Sequence, residues 1–329
     1  MGAMRKLRDM GQDLPGKESG SVLVVTLLVV LLLAALTLAF SDETGVELAL
    51  SETSRNTEQA YLTARSGVQE ALALMSAESD KDMDTLRDEW LQNEKVTLPD
   101  DFMEGSSLTV RVADESGKFN LNTLVDGNGD VDDLRASQAR RLFRALGVAE
   151  ELLEPLLDWL DRDDIERING AESKYYSGLD TPFSCANGTL QTLGQLAMIK
   201  GYDKGLMTED GRRVDLTPYV TLYTNGKINV NTAPPEVLQC LGEQLDSAMA
   251  NAIAVYRRSH DLRTMSDLAK VTGLSADLLS GVSPWVTFKS TTVSVESRGS
   301  YRETSRTVRA VVERSGEKAT PRLIYWKVD

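Results

Sequence analysis

The hydrophobic pattern begins with an uninterrupted apolar run close to the start of the chain. Residues 22–40 carry no charge, and only Thr26 and Thr37 interrupt the apolar side chains. As a helix rising about 1.5 Å per residue, the run reaches roughly 28 Å, close to the ~30 Å hydrocarbon core of a bilayer. The pattern predicts a single transmembrane helix over residues 21–40.

Charges on either side of this run predict its orientation. Four basic and three acidic residues precede it, and acidic residues follow it from Asp42 onward. Basic flanks favour the cytoplasmic side, so the first twenty residues are predicted in the cytoplasm and the bulk of the chain outside. A secretory signal is an alternative, but its apolar core is usually about 7–15 residues and ends in a small-x-small site, which residues 41–45 lack. A plain membrane anchor stays open.

The pattern beyond the membrane run changes from continuous to periodic. Apolar residues recur at three- and four-residue spacing from Tyr61 to Met75, which predicts a long helix that packs on the chain's own domain. The strand signals lie at 108–113, 291–297, 307–313 and 322–328, with turns predicted at Gly299–Ser300 and Ser315–Gly316. One strand therefore precedes, and three follow, a block of about 170 residues.

That block contains a weak internal repeat. Residues 117–123 and 226–232 both read Gly-Lys-x-Asn-x-Asn-Thr, and residues 192–201 match residues 264–273. Two copies of one helical unit are predicted, over about 117–221 and 226–287, within an all-α insertion at 117–288. In each copy the Asn-x-Asn-Thr side chains are interpreted as structural caps rather than ligands.

The junction in front of the apolar run carries a further signal. Gly20 and Ser21 stand directly before it, with Lys17 and Glu18 close upstream. This junction resembles the leader of type IV prepilin-like proteins. The resemblance implies that prepilin peptidase cuts after Gly20, removes residues 1–20 and leaves Ser21 as the new N-terminus.

Val25 occupies the fifth position after that junction, where most pilin-like subunits carry a glutamate. The resemblance implies that this glutamate meets the terminal ammonium of the subunit above, and an ionised carboxylate without a partner is costly in lipid. A subunit with no neighbour above it gains nothing from the glutamate. Val25 therefore points to a subunit that sits first in a fibre.

Several motifs together resemble general secretion pathway protein K, the K-type minor pseudopilin of type II secretion. They are Asp158-Trp159-Leu160-Asp161, residues 170–176, the two Asn-x-Asn-Thr blocks and residues 323–326. The resemblance implies an α+β pilin-like fold: a long N-terminal helix, half transmembrane, on a small antiparallel sheet, with a large all-α insertion of two related units similar to SAM or helix-hairpin-helix modules.

The same resemblance implies the division of the chain and its role. The predicted segments are a leader at 1–20, a transmembrane helix at 21–40, the outer helix and first strand at 41–116, the insertion at 117–288 and closing strands at 289–329. The role implied is to initiate and cap the periplasmic pseudopilus at its tip. The implied partners are the I- and J-type minor pseudopilins, the major pseudopilin and the inner-membrane assembly platform.

Clustered carboxylates in the insertion predict a calcium site. The predicted ligands are Asp161, Asp163, Asp164 and, after an Asn169–Gly170 turn, Glu172. Calcium takes about six to eight oxygen ligands, which carboxylates on a flexible loop can supply. The resemblance adds weight, because protein K is known to hold calcium in its helical domain.

A weaker calcium candidate is the loop with Asp126, Asn128 and Asp130. Its start resembles an EF-hand loop, but Val131 replaces the turn glycine and Ser137 stands where the bidentate glutamate belongs. A solvated turn and a calcium loop are both open here.

Net charge bears on the main competing function. The whole chain carries −14, and its first 40 residues hold four basic and three acidic side chains, so residues 41–329 carry −15. Residues 228–233 and 265–273 also resemble helix-hairpin-helix modules of competence proteins that bind DNA, yet the hairpin at 241–245 has one glycine and an added Glu243. Since DNA affinity depends on basic side chains, no nucleic acid is expected as a partner. A DNA-uptake component and a membrane-tethered periplasmic adaptor stay as alternatives.

Catalytic and thiol chemistry complete the picture. The one histidine, His260, lies beside two arginines and is interpreted as a surface residue. The chain carries no nucleophile elbow or phosphate loop, so no enzyme is predicted.

Cys185 and Cys240 fall on the predicted extracytoplasmic side, where a disulfide can persist. A disulfide between the two units and two free thiols are both open.

Overall fold

The computed structural model describes residues 18–77, 82–92, 104–208, 210–314 and 321–329. The helices are α1 (Glu18–Ala77), α2 (Glu89–Gln92), α3 (Asp133–Leu146), α4 (Leu153–Leu160), α5 (Ser173–Ser177), α6 (Pro235–Cys240), α7 (Ser247–Tyr256), α8 (Met265–Thr272) and α9 (Ala276–Val282). Short 3-10 helices lie at Glu115–Gly117, Leu121–Leu124, Glu150–Leu152, Leu193–Met198 and Ser283–Trp285. The contacts divide the chain into two units, Met1–Glu58 and Gln59–Asp329.

The strands are β1 (Ser106–Asp114), β2 (Phe119–Asn120), β3 (Leu206–Met207), β4 (Arg213–Val214), β5 (Val220–Thr221), β6 (Ile228–Asn229), β7 (Val286–Thr287), β8 (Thr292–Tyr301), β9 (Thr304–Glu313) and β10 (Arg322–Val328). The long strands form one antiparallel sheet in the order β1-β8-β9-β10. The α+β fold and the predicted strands are confirmed. β1 pairs with β8 although the insertion separates them in sequence, so the sheet is split as predicted.

In the first unit, α1 presents its apolar side chains outward. The stretch is long and apolar enough to cross a membrane, with a mean hydropathy of 3.1 over its most apolar window and none of that window buried. The hydroxyls of Thr26 and Thr37 donate to the Leu23 and Leu33 carbonyls at 2.9 and 2.7 Å. Both polar groups are thus satisfied inside the helix, as a hydrocarbon environment requires.

In the second unit, the remainder of α1 packs on one face of the sheet. Ala64, Val68 and Ala71 are buried against a cluster that includes Val110 and Val308. The apolar stripe that the sequence predicts along this helix therefore faces the sheet. Burial of these residues supplies the main stabilisation of the pairing, at about 25 cal/mol per Å² of apolar surface.

Two glycines allow the helix to lie close to the sheet. A Cβ added to Gly299 would come within 2.3 Å of the Ala64 nitrogen, and one added to Gly67 would come within 2.3 Å of Ser297 Oγ. The turn predicted at Gly299–Ser300 is wrong, because both residues lie inside β8 and the reversal is at Arg302–Glu303. Gly299 is required by packing rather than by a turn. The predicted turn at Ser315–Gly316 lies outside the described residues.

The insertion contains the two related units that the repeat predicts. β2 pairs in parallel with β5 in the first unit, and β6 pairs in parallel with β7 in the second. The first unit also holds the antiparallel pair β3–β4, so the insertion is mainly helical rather than all-α as predicted; two-residue strands are too short to leave a pattern in the sequence. Thr192 with Gln195 and Thr264 with Asp267 form capping boxes at equivalent positions of the repeat. The repeated sequence thus produces the same local hydrogen bonds twice.

The repeated asparagines clamp a distant loop in each unit. Asn122 Nδ2 donates to the Leu190 carbonyl at 2.9 Å and its Oδ1 accepts from the Leu190 amide at 2.8 Å. Asn231 makes the same pair of bonds with Leu262, at 2.8 and 3.1 Å. The amide groups of both side chains are hydrogen-bonded to backbone groups, which supports the prediction that they are structural.

A buried hydrogen-bond cluster joins the insertion to the sheet. Asp114, at the end of β1, accepts from the hydroxyls of Ser290 and Thr232, both at 2.5 Å. Asp84 accepts from the Ser290 amide at 2.7 Å and pairs with Arg314 at 2.8 Å. Burial outweighs the hydrogen bonds and raises the pKa of Asp114 to about 6.

Candidate functional site

The predicted carboxylate cluster lies where α4 ends. Asp161 follows the last residue of α4, and Glu172 immediately precedes α5, so the loop between these helices returns to its own starting point. One oxygen each from Asp161, Asp163 and Glu172 lie within 4.8 Å of one another. The two helices therefore gather carboxylates that stand up to eleven residues apart in sequence.

Buried oxygens in this cluster lack hydrogen-bond partners among the described residues. They are Asp161 Oδ1 and both carboxylate oxygens of Glu172. Burial, together with the nearby charges of Asp158 and Asp161, raises the pKa of Glu172 to about 7, and burial also raises the pKa of Asp161. A buried carboxylate without a partner is costly, and a bound cation would remove that cost.

Arg167 neutralises the opposite side of the cluster. Its Nη1 lies 2.6 Å from Asp158 Oδ1 and 2.5 Å from Asp161 Oδ2. The Asp161 oxygen that faces away from Arg167 is the one without a partner. The arginine thus fixes Asp161 and leaves one of its oxygens for a cation.

Gly170 allows the loop to close on Asp158. A Cβ at Gly170 would lie 1.9 Å from Asp158 Oδ2, which accepts the Ala171 amide at 2.8 Å. A side chain at position 170 would displace this carboxylate and, through Arg167, Asp161. The glycine of the Asn169–Gly170 turn therefore supports the geometry of the cluster.

The structure brings three of the four predicted ligands together. Asp164 is exposed and accepts from the Ser173 amide at 3.2 Å, and hydrogen bonds from Ser173 lower its pKa. It lies outside the group of converging oxygens, because its side chain caps the start of α5. Its carboxylate still lies near Glu172, and its place among the ligands stays a prediction.

Asn187 is a neighbour of the cluster that the sequence pattern missed. Its Nδ2 donates to the Asp163 carbonyl at 2.6 Å, and its Oδ1 is buried without a hydrogen-bond partner in the described part of the chain. It lies in the next loop, 24 residues after Asp163, so proximity in sequence gave no signal. The positive φ of 68° at Asn169 and 42° at Asn187 marks both asparagines as tight-turn residues.

The unpartnered donors in and beside the cluster are carboxylate or amide oxygens, and the Cys185 thiol nearby is held protonated by its burial. This donor set fits a hard cation such as calcium and does not resemble the nitrogen and sulfur sets that select zinc. Asp161, Asp163 and Glu172 would hold the ion, and Asn187 stands beside them. The ion would supply positive charge to a loop that otherwise holds its carboxylates close together.

The weaker calcium candidate, the loop with Asp126, Asn128 and Asp130, is closed by hydrogen bonds between its own residues. Asp126 Oδ1 accepts from the amides of Asn128 and Asp130 at 2.8 and 3.0 Å, and these bonds lower the pKa of Asp126. Arg162 donates to the Asn128 carbonyl at 3.1 Å and pairs with Asp130 at 3.1 Å. These contacts are those of a solvated turn, the alternative to a calcium loop at this position.

Cys185 and Cys240 are free thiols in the structure. The Cys185 thiol donates to the Asp158 carbonyl at 3.7 Å, beside the carboxylate cluster, whereas Cys240 is fully buried in the core of the insertion. Burial raises their pKa values to about 11 and about 12, so both stay protonated at neutral pH. Of the two alternatives, the structure has free thiols rather than the disulfide.

The predicted leader is only partly within the described residues. Gly20, Ser21 and Val25 lie on α1, and Val25 is 59% exposed in the second turn of the apolar stretch. Residues 1–17 of the predicted leader lie outside the described residues. Cleavage after Gly20 stays a prediction.

The hairpin that resembles a DNA-binding module joins α6 to α7. Glu243 is exposed on it, and Asp246 caps α7 by accepting the Met249 amide at 2.9 Å. Two carboxylates therefore lie where such a module would approach a phosphate. His260 is exposed and stacks on Tyr256 with ring centroids 4.6 Å apart, in agreement with a surface role.

Comparison with known families gives two matches of the same description. Models described as type II secretion system protein K match residues 117–225 and residues 228–296. Together they cover more than half of the chain, and each corresponds closely to one unit of the insertion.

Curated relatives carry the same description. A type II secretion system protein K of Pseudomonas aeruginosa is 34% identical over 51% of this chain and 49% of its own length. A putative type II secretion system protein K of Escherichia coli K12 is 30% identical over 63% of this chain and 64% of its own length. The chain thus matches about half of the first relative and less than two thirds of the second.

A solved structure has the same fold. It is the crystal structure of the GspK-GspI-GspJ complex from the type 2 secretion system of enterotoxigenic Escherichia coli. One of its chains aligns with a TM-score of 0.69 and 19% identity, over 85% of this chain and 99% of that chain. At this identity the likeness bears on the fold, a pilin-like α+β domain with a helical insertion.

Proposed function

Because the chain belongs to the type II secretion system protein K family, we propose that it acts as a minor pseudopilin in protein export. The observation that carries this proposal is the architecture. A long apolar helix continues onto a four-stranded sheet whose first and second strands are separated in sequence by the helical insertion. The work of such a subunit is assembly rather than chemistry.

The proposed location is the inner membrane, crossed once by α1. The N-terminus lies in the cytoplasm and residues beyond the apolar run lie in the periplasm, in keeping with the charge distribution. Prepilin peptidase removes residues 1–20. The apolar side chains of α1, exposed along residues 22–40, then contact lipid and, after assembly, neighbouring pilin-type helices.

The proposed position is the tip of the pseudopilus. Val25 stands where other subunits carry a glutamate for the subunit above, and an apolar residue there is expected of the first subunit. The insertion has its own extensive hydrophobic core and is too large to be enclosed within a fibre. Both features support a subunit that initiates the fibre and caps it.

The proposed partners are the I- and J-type minor pseudopilins, the major pseudopilin and the assembly platform of the inner membrane. The solved structure of similar fold is a complex with GspI and GspJ. The likeness in fold to its aligned chain supports an equivalent assembly for this protein.

We further propose that calcium is a structural ion of the insertion, held by Asp161, Asp163 and Glu172. Their unpartnered buried oxygens support this proposal. Asp126, Asn128 and Asp130 form the lesser candidate, because their oxygens are already engaged by amides and Arg162.

N-terminal sequencing of membrane-extracted protein tests the pilin-like assignment. We expect Ser21 as the first residue in cells that hold prepilin peptidase, and Met1 in cells that lack it. A Gly20→Leu variant is expected to keep its leader. An intact Met1 in both strains would leave the membrane-tethered adaptor as the better description.

Immunogold labelling of the insertion tests the tip position. On sheared pseudopili we expect label at one end of each fibre, because the insertion cannot be enclosed between subunits. A fibre labelled along its length would contradict the proposed position while leaving the family membership intact. An epitope in the major pseudopilin, which should label the whole fibre, is the matched control.

A further inference from the structure

A cleft of about 1020 Å³ separates the outer face of the sheet from the first unit of the insertion. The outer face is the one turned away from α1. Arg111, Glu296, Arg309 and Lys327 line the cleft from the sheet, and Lys118 and Tyr223 line it from the insertion. Its volume lies at the upper end of the range of about 300–1000 Å³ that is typical of binding sites.

The floor of the cleft is a charged row that crosses all four strands. Arg111 pairs in register with Glu296, Glu296 with Arg309, and Arg309 with Lys327. Side chains of such cross-strand pairs point to the same face of the sheet. The row therefore places three basic side chains and one acidic side chain side by side.

Most of these charges are already compensated. Arg309 lies 2.8 Å from Glu296 and also pairs with Asp329, while Lys327 lies 2.8 Å from Asp329. Lys118 is held by Glu115 at 2.6 Å on the opposite wall. Glu115, Glu296 and Asp329 are thus paired with cations other than Arg111. Asp114 also lines the cleft, but it is buried and accepts hydrogen bonds from the Ser290 and Thr232 hydroxyls.

Arg111, at the β1 end of the row, differs from the other cations of the cleft. It is exposed on β1 and makes neither a hydrogen bond nor an ion pair with any residue in the described ranges. Arg111 lies at the β1 edge of the cleft, where its guanidinium is available to an incoming anion. A guanidinium binds carboxylates well because its paired donors match their geometry.

An aromatic pair closes one end of the cleft. Tyr223 of the insertion and Tyr325 of β10 have ring centroids 6.0 Å apart. Aromatic side chains of this kind give apolar contact area with a polar tip, as is common at protein interfaces. The cleft therefore offers a cation at the β1 side and an apolar surface at the β10 side.

We propose that this cleft binds an extended, carboxylate-bearing segment of a partner protein, with an acidic side chain on Arg111 and an apolar side chain against Tyr223 and Tyr325. Four strands at about 4.8 Å spacing span roughly 14 Å, the length of four or five extended residues. The guanidinium of Arg111, which has no ion-pair partner among the described residues, favours an acidic segment. The proposal adds a docking surface to the proposed tip subunit and depends on neither calcium nor the position in the fibre.

Fluorescence anisotropy on the full chain in detergent micelles tests the proposal. The probe is a blocked, fluorescein-labelled hexapeptide of alternating aspartate and valine, and its comparison is the same peptide with asparagine for aspartate. We expect the aspartate peptide to bind about tenfold more tightly or better, since a charge-assisted bond is lost in the other. Binding should weaken as salt rises.

Variants assign the binding to the cleft. Arg111→Gln is expected to reduce affinity for the aspartate peptide by about tenfold, and Arg111→Lys to restore part of it. Tyr325→Ser should weaken both peptides, because it removes apolar contact. Arg258→Gln is the matched control, since Arg258 is an exposed arginine outside the cleft and its loss should change nothing.

Three results would overturn the proposal. The first is equal affinity for the aspartate and asparagine peptides, and the second is equal binding by the Arg111→Gln and Arg258→Gln proteins. The third is complete displacement of the aspartate peptide by millimolar inorganic phosphate with no effect of Tyr325→Ser, which would indicate a small-anion site. Arg111 is exposed, so the melting temperature of its variants should match that of the parent and confirm that they are folded.

Discussion

Asp161 and Glu172 bring negative charge into the interior of the insertion without enough hydrogen bonds to compensate it. Such a pair is unfavourable in the absence of a cation and favourable with one. These two carboxylates should therefore lower the stability of the folded chain without calcium and raise it when calcium is bound. A carboxylate that served only as a cap or surface group would not show this reversal.

We predict that calcium raises the melting temperature of the full chain and that Glu172→Gln abolishes this response. At a free calcium concentration a hundred times Kd, the stabilisation is about 2.7 kcal/mol. In EDTA, Glu172→Gln should melt above the parent, because it removes an uncompensated buried charge. Calorimetry and thermal unfolding measure both effects.

Asp164→Asn is the matched control for this prediction. It changes a neighbouring exposed carboxylate that caps α5 and should leave the calcium response in place. Equal calcium responses in the parent and the Glu172→Gln protein, or no calcium uptake by the parent, would remove the proposed site.

The raised pKa of Asp114 implies that its contribution to the free energy of unfolding falls as pH rises. A typical salt-bridged carboxylate has the opposite dependence. Its pKa of about 6 lies above the ordinary value of 3.8, because burial disfavours the charged form. Between these values the folded state binds more protons than the unfolded state, so its contribution is present below pH ~4 and is lost as pH rises through ~6. The loss amounts to roughly 3 kcal/mol at most.

We therefore predict that Asp114→Asn alters the pH profile of unfolding. The parent should lose stability relative to the variant between about pH 4 and pH 7, as the parent carboxylate ionises in its buried site. Thermal unfolding of both proteins across this range measures the difference. Parallel profiles for the two proteins would show that Asp114 does not titrate in the folded state.

At the scale of elements, the contact between α1 and the sheet depends on glycine at its closest point. A Cβ at Gly299 would lie 2.3 Å from the Ala64 nitrogen and 2.5 Å from the Ala60 carbonyl oxygen. Both are backbone atoms of a helix and cannot rotate away. The helix would have to move off the sheet as a unit.

We predict that Gly299→Ala destabilises the protein by about 2–3 kcal/mol or more. Gly281→Ala is the matched control, since Gly281 lies within α9 with open space around its Cα. That change should stabilise slightly, by about 0.5–1 kcal/mol, because alanine favours a helix. Similar melting temperatures for the Gly299→Ala protein and the parent would show that the close contact carries little energy.

The elements themselves could be predicted because their signals are local. Apolar periodicity gave α1 and the four long strands, and repeated capping residues gave the two units of the insertion. Gly299 was assigned to a turn because a glycine needed for close packing looks the same in sequence as one needed for a reversal. Three of the converging carboxylates were predicted because they lie near one another in sequence, whereas Asn187 comes to contact Asp163 only through folding.

The cleft on the outer face of the sheet could not be predicted either, because it is formed by residues that are far apart in sequence. It depends on which face β1 turns outward and on where the first unit of the insertion lies. Arg111 is an ordinary alternating polar residue of an antiparallel strand in the sequence. Only register shows that its cross-strand neighbour Glu296 is already paired with Arg309.

At the scale of the whole molecule, net charge sets the choice of partner. With −15 over residues 41–329, long-range repulsion opposes any polyanion. Glu243 and Asp246 add a local repulsion on the one hairpin that resembles a DNA-binding module.

We predict that the full chain in detergent does not retard duplex DNA at about 0.15 M salt. Gel retardation measures this, with Glu243→Lys as a variant that removes one local carboxylate and a histone as the positive control. The variant is also expected to leave DNA free, because a change of two charge units is small against −15. Retention by the parent that falls steeply with salt would revive the DNA-uptake alternative.

The hydrogen bond between Ser290 and Asp114 bears on how freely the insertion can change. The polypeptide leaves the sheet just after Asp114 and returns at Ser290, and the two side chains are 2.5 Å apart. A segment whose ends touch can be added to or removed from a fold without moving the rest. The insertion is thus attached to the sheet at one point, and its two halves repeat the same short ladder and the same capping box. Its length and sequence can therefore change while the sheet and α1 keep their shape.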